Sequence, residues 1–225
     1  MVSTRWHHFH DAAAVADETV RRMLVAAKRA IAGRGAFRVV LAGGSTPERA
    51  YRQLAGCESD WSRWHIYLGD ERCLPPDDKD RNSLMVERAW LERSPVPREN
   101  IHWIPAERGS EQGAADYQAV IEPVLPFDMV LLGMGEDGHT ASLFPGHRHD
   151  PARLVVPVSD APKPPPDRIS LNIPALRQTR EMLLLITGAG KSEAVHRWRQ
   201  GEPLPVASLE CEAGIDVLVD QDATG

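Results

Sequence analysis

Apolar and polar positions follow two rhythms along this chain. Between Asp11 and about Ala32, the residues Val20, Met23, Leu24, Ala27 and Ile31 recur at helical spacing, and Gly33 and Gly35 follow as stop signals. This predicts an amphipathic helix. Elsewhere, short unbroken apolar runs stand between turn-rich segments. "FRVVLAGG" predicts a strand ending in a glycine turn, and "STPERAYRQLA" a helix after it with Thr46 as N-cap and Pro47 in the first turn. A strand over 65–69 then leads into a polar loop. "RNSLMVERAWLE", "AADYQAVIEPVL" and "GKSEAVHRWRQ" read as helices, while "FDMVLLGM", "ARLVVPV", "RISLNI", "EMLLLITG" and "IDVLVD" read as strands. The segment "SDAPKPPPDR", with its prolines, can only connect. Short apolar runs separated by helices predict an α/β fold, a mostly parallel sheet flanked by helices on both faces, in one domain over residues 1–225.

Composition narrows the partners. The chain has 225 residues, 42% of them hydrophobic, enough for a substantial core. Its net charge is −6 and its Lys and Arg residues form no run beyond pairs, which argues against nucleic acid. No apolar stretch approaches a membrane span and the N-terminal segment lacks a signal peptide's apolar centre, so a cytoplasmic protein is expected, with no membrane partner. Cys57, Cys73 and Cys211 show no C-x-x-C spacing and are expected to be buried small apolar residues. Trp61 and Trp64 are expected in the core or at an edge, and His7, His8 and His10 at the surface. His147 and His149 follow His139, but no compact imidazole and carboxylate spacing recurs, so no metal is expected.

In open parallel sheets ligands collect at the carboxyl ends of the strands. Four such ends are unusually polar here. In "AGGSTPE", Gly43, Gly44, Ser45 and Thr46 combine converging backbone N–H groups, two hydroxyls and a helix start, which suits one phosphate; the alternative is an ordinary capped turn. In "YLGDERCLPPDDKDRNS", Arg72 offers a planar fork for an anion; the alternative is a solvated loop. In "LLGMGEDGHTASLFPG", His139 follows three glycines and is the best general base in the chain, with Asp137 placed to orient it. In "LITGAGKSEAV", Lys191 lies in a first helical turn, unfavourable for a cation unless an anion binds there. The chain has few lysines beside many arginines, so one next to a glycine turn stands out.

These segments, "LAGGSTPERAYRQL", "IYLGDERCLPPDDKDRNS", "DMVLLGMGEDGHTASLFPG" and "LLLITGAGKSEAV", resemble the 6-phosphogluconolactonases over about residues 5–220. The resemblance implies a Rossmann-like sheet similar to glucosamine-6-phosphate deaminase and ribose-5-phosphate isomerase. It also implies metal-independent hydrolysis of 6-phosphoglucono-1,5-lactone to 6-phosphogluconate, with no cofactor needed; a monomer is expected because no long amphipathic surplus element asks for a partner. His139 matches the family's base, Gly43 to Thr46 its phosphate loop, and Arg72, Arg168 and Lys191 basic positions around the ligand. Asp70 and Asn82 fall on matching positions of the polar loop. The backbone N–H groups of residues 133–138 are candidate oxyanion donors. "DER" looks like the lactonase pattern where the deaminases carry Asp-Glu-Tyr. Ala42, where serine is frequent, and the missing histidine in "LPVASLECEAG" are departures. Two rivals remain: a deaminase or isomerase using Asp70 to shuttle protons, and a non-catalytic sugar-phosphate sensor.

Overall fold

The computed structural model describes residues 3–225, and its strands form two sheets. The larger is a seven-stranded parallel sheet built from β1 (Thr4–Phe9), β2 (Phe37–Leu41), β3 (Trp64–Leu68), β5 (Ile101–His102), β6 (Met129–Gly133), β9 (Met182–Ile186) and β10 (Ile215–Asp220). Its spatial order is β1-β10-β9-β6-β2-β3-β5, every pair parallel. The order reverses between β2 and β6, which opens a crevice at their carboxyl ends. The side chains of β9 are all buried, as are those of Met129 to Leu132 in β6, which explains why these central strands read as unbroken apolar runs.

The second sheet was not foreseen. β4 (Asp70–Arg72), β7 (Val155–Val158) and β8 (Arg168–Leu171) pair antiparallel in the order β4-β8-β7. The runs "LVVPV" and "RISLNI" are strands as expected, but they leave the parallel sheet. Pro157 lacks a backbone N–H, which is tolerated because β7 lies at an edge. Leu68 ends β3 and Asp70 begins β4, so at this crossing Gly69 is the single residue between the two sheets. Its N–H donates to Leu41 O at 3.0 Å and its carbonyl accepts from Leu171 N at 2.8 Å.

Helices flank the large sheet. α1 (Ala12–Arg34) is capped by the Asp11 carboxylate, which accepts from Ala14 N at 2.9 Å, and it ends at Gly35 in the left-handed region. α1 packs on α2 (Ser45–Leu54) and against β1, β2 and β10, while α4 (Ser110–Ile121) packs on β7 and β8. Shorter helices are α3 (Asn82–Ala89), α5 (Ile173–Leu176) and α6 (Ser192–Arg199). Trp61, Trp64 and Trp90 form an aromatic cluster in the core. Of the N-terminal histidines expected at the surface, His8 and His10 are exposed, while His7 is half-buried in edge strand β1, where its Nε2 lies 2.6 Å from Asp216 Oδ1. Cys211 is buried, whereas Cys57 and Cys73 are half-buried and all three are unpaired. Among the described residues no helix is long and apolar enough to cross a membrane.

At the other edge, the ring of His102 in β5 stacks on Tyr67 at 4.6 Å and on His65 at 5.9 Å. Burial pushes both imidazoles below their usual range, with Arg38 adding to the shift at His65 and His65 adding to it at His102. Both are held neutral by the fold and become protonated more readily on unfolding. Stability is therefore complete above the unfolded value near 6.5 and is lost as the pH falls toward the depressed folded values. Thermal unfolding should show a lower Tm at pH 5.5 than at pH 7.5, and a smaller difference in a His65→Gln/His102→Gln double variant. An unchanged pH dependence in that variant would remove the stack from the account.

Candidate active site

The carboxyl ends of β2, β3 and β6 open into a cleft of about 280 Å³, walled on its far side by the small sheet. Two buried tyrosines fix its floor. The Tyr51 hydroxyl from α2 donates to Ala42 O at 2.9 Å and accepts from Ala42 N at 3.0 Å, just beyond β2. Tyr117 from α4 makes the same pair of bonds with Leu68 at the end of β3, at 3.0 and 2.9 Å. Each hydroxyl satisfies backbone groups that the ladder leaves free at a strand end, so the glycine turns that follow start from fixed positions.

His139 stands on the loop after β6. Its Nδ1 lies 2.6 Å from Asp137 Oδ1, and the same oxygen accepts from His139 N at 3.1 Å. An ionised carboxylate can only accept, so Nδ1 carries the proton and Nε2 keeps a free lone pair. Burial alone would raise the Asp137 carboxyl, but the His139 N–H groups outweigh it and hold the carboxyl below its usual range. Phe144 backs the imidazole at 4.6 Å. Gly135 makes the arrangement possible: a Cβ there would lie 2.0 Å from His139 Nδ1 and 2.7 Å from Asp137 Oδ1. The loop's own bonds also remove donors from the expected oxyanion set. Gly135 N donates to His139 O at 2.8 Å, and Gly138 N to Gly135 O at 3.0 Å.

The opposite wall is cationic. Arg72 in β4 and Arg168 in β8 occupy directly paired positions, and both line the cleft with Lys163 and Lys191. Like charges directly across a strand pair repel. Burial first, and then the Arg72 charge, push the Arg168 guanidinium below its usual range, with Asp70 opposing. Arg168 Nη2 donates to Lys163 O at 2.8 Å, while the buried Nε of Arg72 has no protein partner. A bound anion between these groups would relieve the repulsion and supply hydrogen-bond acceptors.

Asp70 and Asn82 hold this wall to the histidine loop. Asp70 Oδ2 accepts from Ser142 Oγ at 2.6 Å, and Asn82 Nδ2 donates to Asp70 O at 3.0 Å. Gly43 must be glycine because its Cβ would lie 2.1 Å from Asn82 Oδ1. Glu71, expected on a solvated loop, is fully buried: its carboxylate accepts from Asn82 N and Ser83 N, each at 2.8 Å, and faces Arg81 Nε at 3.2 Å. It caps α3 from a neighbouring strand.

Most of the expected residues converge. Gly43, Gly44, Asp70, Arg72, Asn82, His139, Arg168 and Lys191 line the cleft, and Asp137 touches His139 from behind. Two do not line it. α2 begins at Ser45 with Gly44 as its cap, so Thr46 is not the N-cap; its hydroxyl pairs with that of Thr187 instead, and Ser45 is exposed beside the turn. Lys191 ends a 3-10 turn (Ala189–Lys191) and caps α6 rather than standing inside it. Sequence reasoning missed Lys163, Glu136, Ser142 and Glu71. Only Lys163 left a signal, as a lysine in a chain that elsewhere prefers arginine.

Comparison with known proteins identifies the family and the fold. The chain is 39% identical over 194 residues to the 6-phosphogluconolactonase of Mycobacterium tuberculosis, spanning 78% of this chain and 77% of that protein. The crystal structure of 6-phosphogluconolactonase from Thermotoga maritima matches with a TM-score of 0.90 at 27% identity, covering 97% of this chain and all of that one. A monomeric glucosamine-6-phosphate deaminase shares the fold, with a TM-score of 0.85 at 21% identity over 97% and 98% of the two chains. The family model described as glucosamine-6-phosphate isomerases/6-phosphogluconolactonase matches residues 10–218. The chain belongs to the glucosamine-6-phosphate isomerase/6-phosphogluconolactonase family.

Proposed function

We propose that the chain hydrolyses 6-phosphoglucono-1,5-lactone to 6-phosphogluconate, the second step of the oxidative pentose phosphate pathway. The observation that carries this reading is an imidazole with a free Nε2, oriented by Asp137, in a cleft whose other wall holds paired arginines. A δ-lactone needs water activated at its carbonyl carbon, and a phosphate at the far end of the same molecule needs cations. His139 takes a proton from water as it attacks C1. The tetrahedral intermediate collapses by breaking the bond from C1 to the ring oxygen, and His139 returns the proton to that oxygen. Arg72, Arg168 and Lys191 hold the phosphate with the Gly43–Gly44 turn, fixing the lactone for attack. Hydrolysis of an ester bond calls for no electron carrier.

Asp70 separates this reading from the deaminase and isomerase alternative. A carboxylate that shuttles protons between carbons must be free to move and to exchange them. Asp70 is clamped by Ser142 and Asn82, which makes it a positioning residue. The three free cysteines suit a reducing compartment, supporting placement in the cytoplasm.

The test generates the lactone in place from glucose 6-phosphate and follows product through 6-phosphogluconate dehydrogenase. Acceleration well above spontaneous lactone opening is expected from the purified chain in the presence of a chelator. A folded protein that gives no acceleration, but turns over a 2-amino-2-deoxy sugar phosphate, would overturn the reading.

A further inference from the structure

Glu136 sits between the histidine loop and the cationic wall without a role in the chemistry above. Two carboxylates line the cleft among the described residues, Asp70 and Glu136. Asp70 is committed to Ser142 and Asn82. Glu136 instead reaches across the mouth: its Oε2 lies 3.4 Å from Lys163 Nζ, and a Cβ on Gly190, the residue before Lys191, would lie 3.1 Å from its Oε1. It therefore pairs with Lys163 and lies beside the turn that carries Lys191, two of the four cations that line the cleft.

The two lysines respond to it differently. Burial pushes the Lys191 ammonium below its usual range; Glu136 resists the shift and Lys163 adds to it. Lys163 is 68% exposed and Glu136 60%, so their contact is a surface ion pair that costs little to break. The backbone of Lys163 does not depend on that pair. Its carbonyl accepts from Arg168 Nη2 at 2.8 Å, and prolines flank it on both sides.

We propose that Glu136 is a resident stand-in for the substrate's phosphate: its carboxylate bridges Lys163 and the turn before Lys191 until a phosphate dianion displaces it and takes both cations. This inference rests on the assignment of the cationic wall to the phosphate, and it adds Lys163 as a further phosphate-binding residue. No bond is made or broken in the exchange. The carboxylate swings toward solvent because it and a dianion beside the Lys163 ammonium repel each other. The device makes phosphate binding weaker than the cations alone would give, which favours product release.

Calorimetric titration of the purified protein with inorganic phosphate and with 6-phosphogluconate at pH 8 and low ionic strength tests it. Glu136→Gln should bind both about three- to tenfold more tightly than the natural chain, since a charge a few ångströms from the anion is removed in a partly screened site. Lys163→Met should bind both more weakly by a similar factor, and the gain from Glu136→Gln should shrink when Lys163 is already absent. D-Gluconate, which lacks the phosphate, should not discriminate among the variants. Unchanged or weakened phosphate binding in Glu136→Gln overturns the exchange, because Glu136 would then be an idle or supporting partner. An active lactonase with that result keeps the hydrolytic reading and loses the exchange. An inactive chain whose Glu136→Gln variant tightens phosphate binding keeps the exchange and loses the hydrolysis.

Discussion

Gly135→Ala should lower kcat by about 10²-fold or more while the protein stays folded, because general acid–base catalysis of the kind assigned to His139 contributes on the order of 10²- to 10⁴-fold. The added methyl would lie 2.0 Å from Nδ1 of His139 and 2.7 Å from Asp137 Oδ1. The imidazole must swing away, and with it goes the hydrogen bond that fixes its tautomer. The backbone itself has no objection, since Gly135 is not among the glycines with positive φ. Alanine also restricts the unfolded chain, so the change in stability should stay within about 1 kcal/mol. His139→Asn should match the loss of activity without altering the loop. The coupled assay and a melting curve read both quantities. Full activity in Gly135→Ala would mean that the Asp137–His139 contact is incidental to turnover.

The second large effect is on stability. Glu71→Ala should cost about 3–5 kcal/mol, the usual result of removing one partner from a buried ion pair. Glu71 is 0% exposed and Arg81 3%, and the carboxylate also accepts from the first two N–H groups of α3. Its loss leaves Arg81 with Glu107, which is 40% exposed, and with carbonyls of Leu74 and Ile104. For a chain of this size the Tm should fall by about 10 °C. Glu71→Gln, which keeps an acceptor for the helix but not the charge, should fall between. Urea denaturation gives the free energies, and a loss under 1 kcal/mol in the alanine variant would contradict the assignment. Because Asn82 and Arg72 both lean on Glu71 through their backbone N–H groups, the surviving folded fraction should also bind phosphate less well.

What the sequence disclosed follows from which forces are local. The inner parallel strands were legible because a strand buried on both faces must be apolar throughout, as Met182 to Ile186 are. The loops after them were legible because glycine and charge beside such a strand have few other uses. Glu71 was not, since nothing in "GDERC" says that its carboxylate turns inward to a helix starting 11 residues later. Strand direction was equally hidden: Val155 to Val158 and Arg168 to Leu171 have ordinary strand composition, and only their long-range pairing makes them antiparallel. The edge strand β1 escaped notice because it is half-exposed and polar, held by its ladder to β10 and by Asp216 rather than by an apolar face. Thr46 was misassigned for a similar reason. A threonine before proline has the local signature of a cap, and its partnership with Thr187 spans 141 residues.

Gly69 carries a consequence for how the enzyme family's chemistry could diversify on this scaffold. At the β3–β4 crossing one residue separates the two sheets, and its own backbone is bonded into both, to Leu41 and to Leu171. The two walls of the cleft are thus tied together at this junction, and a substrate must fit the gap between them. A change of substrate length is then met most readily by side chains that line the gap or by the proline-rich segment at its mouth. Lengthening the Gly69 junction itself would move every residue of one wall against the other at once.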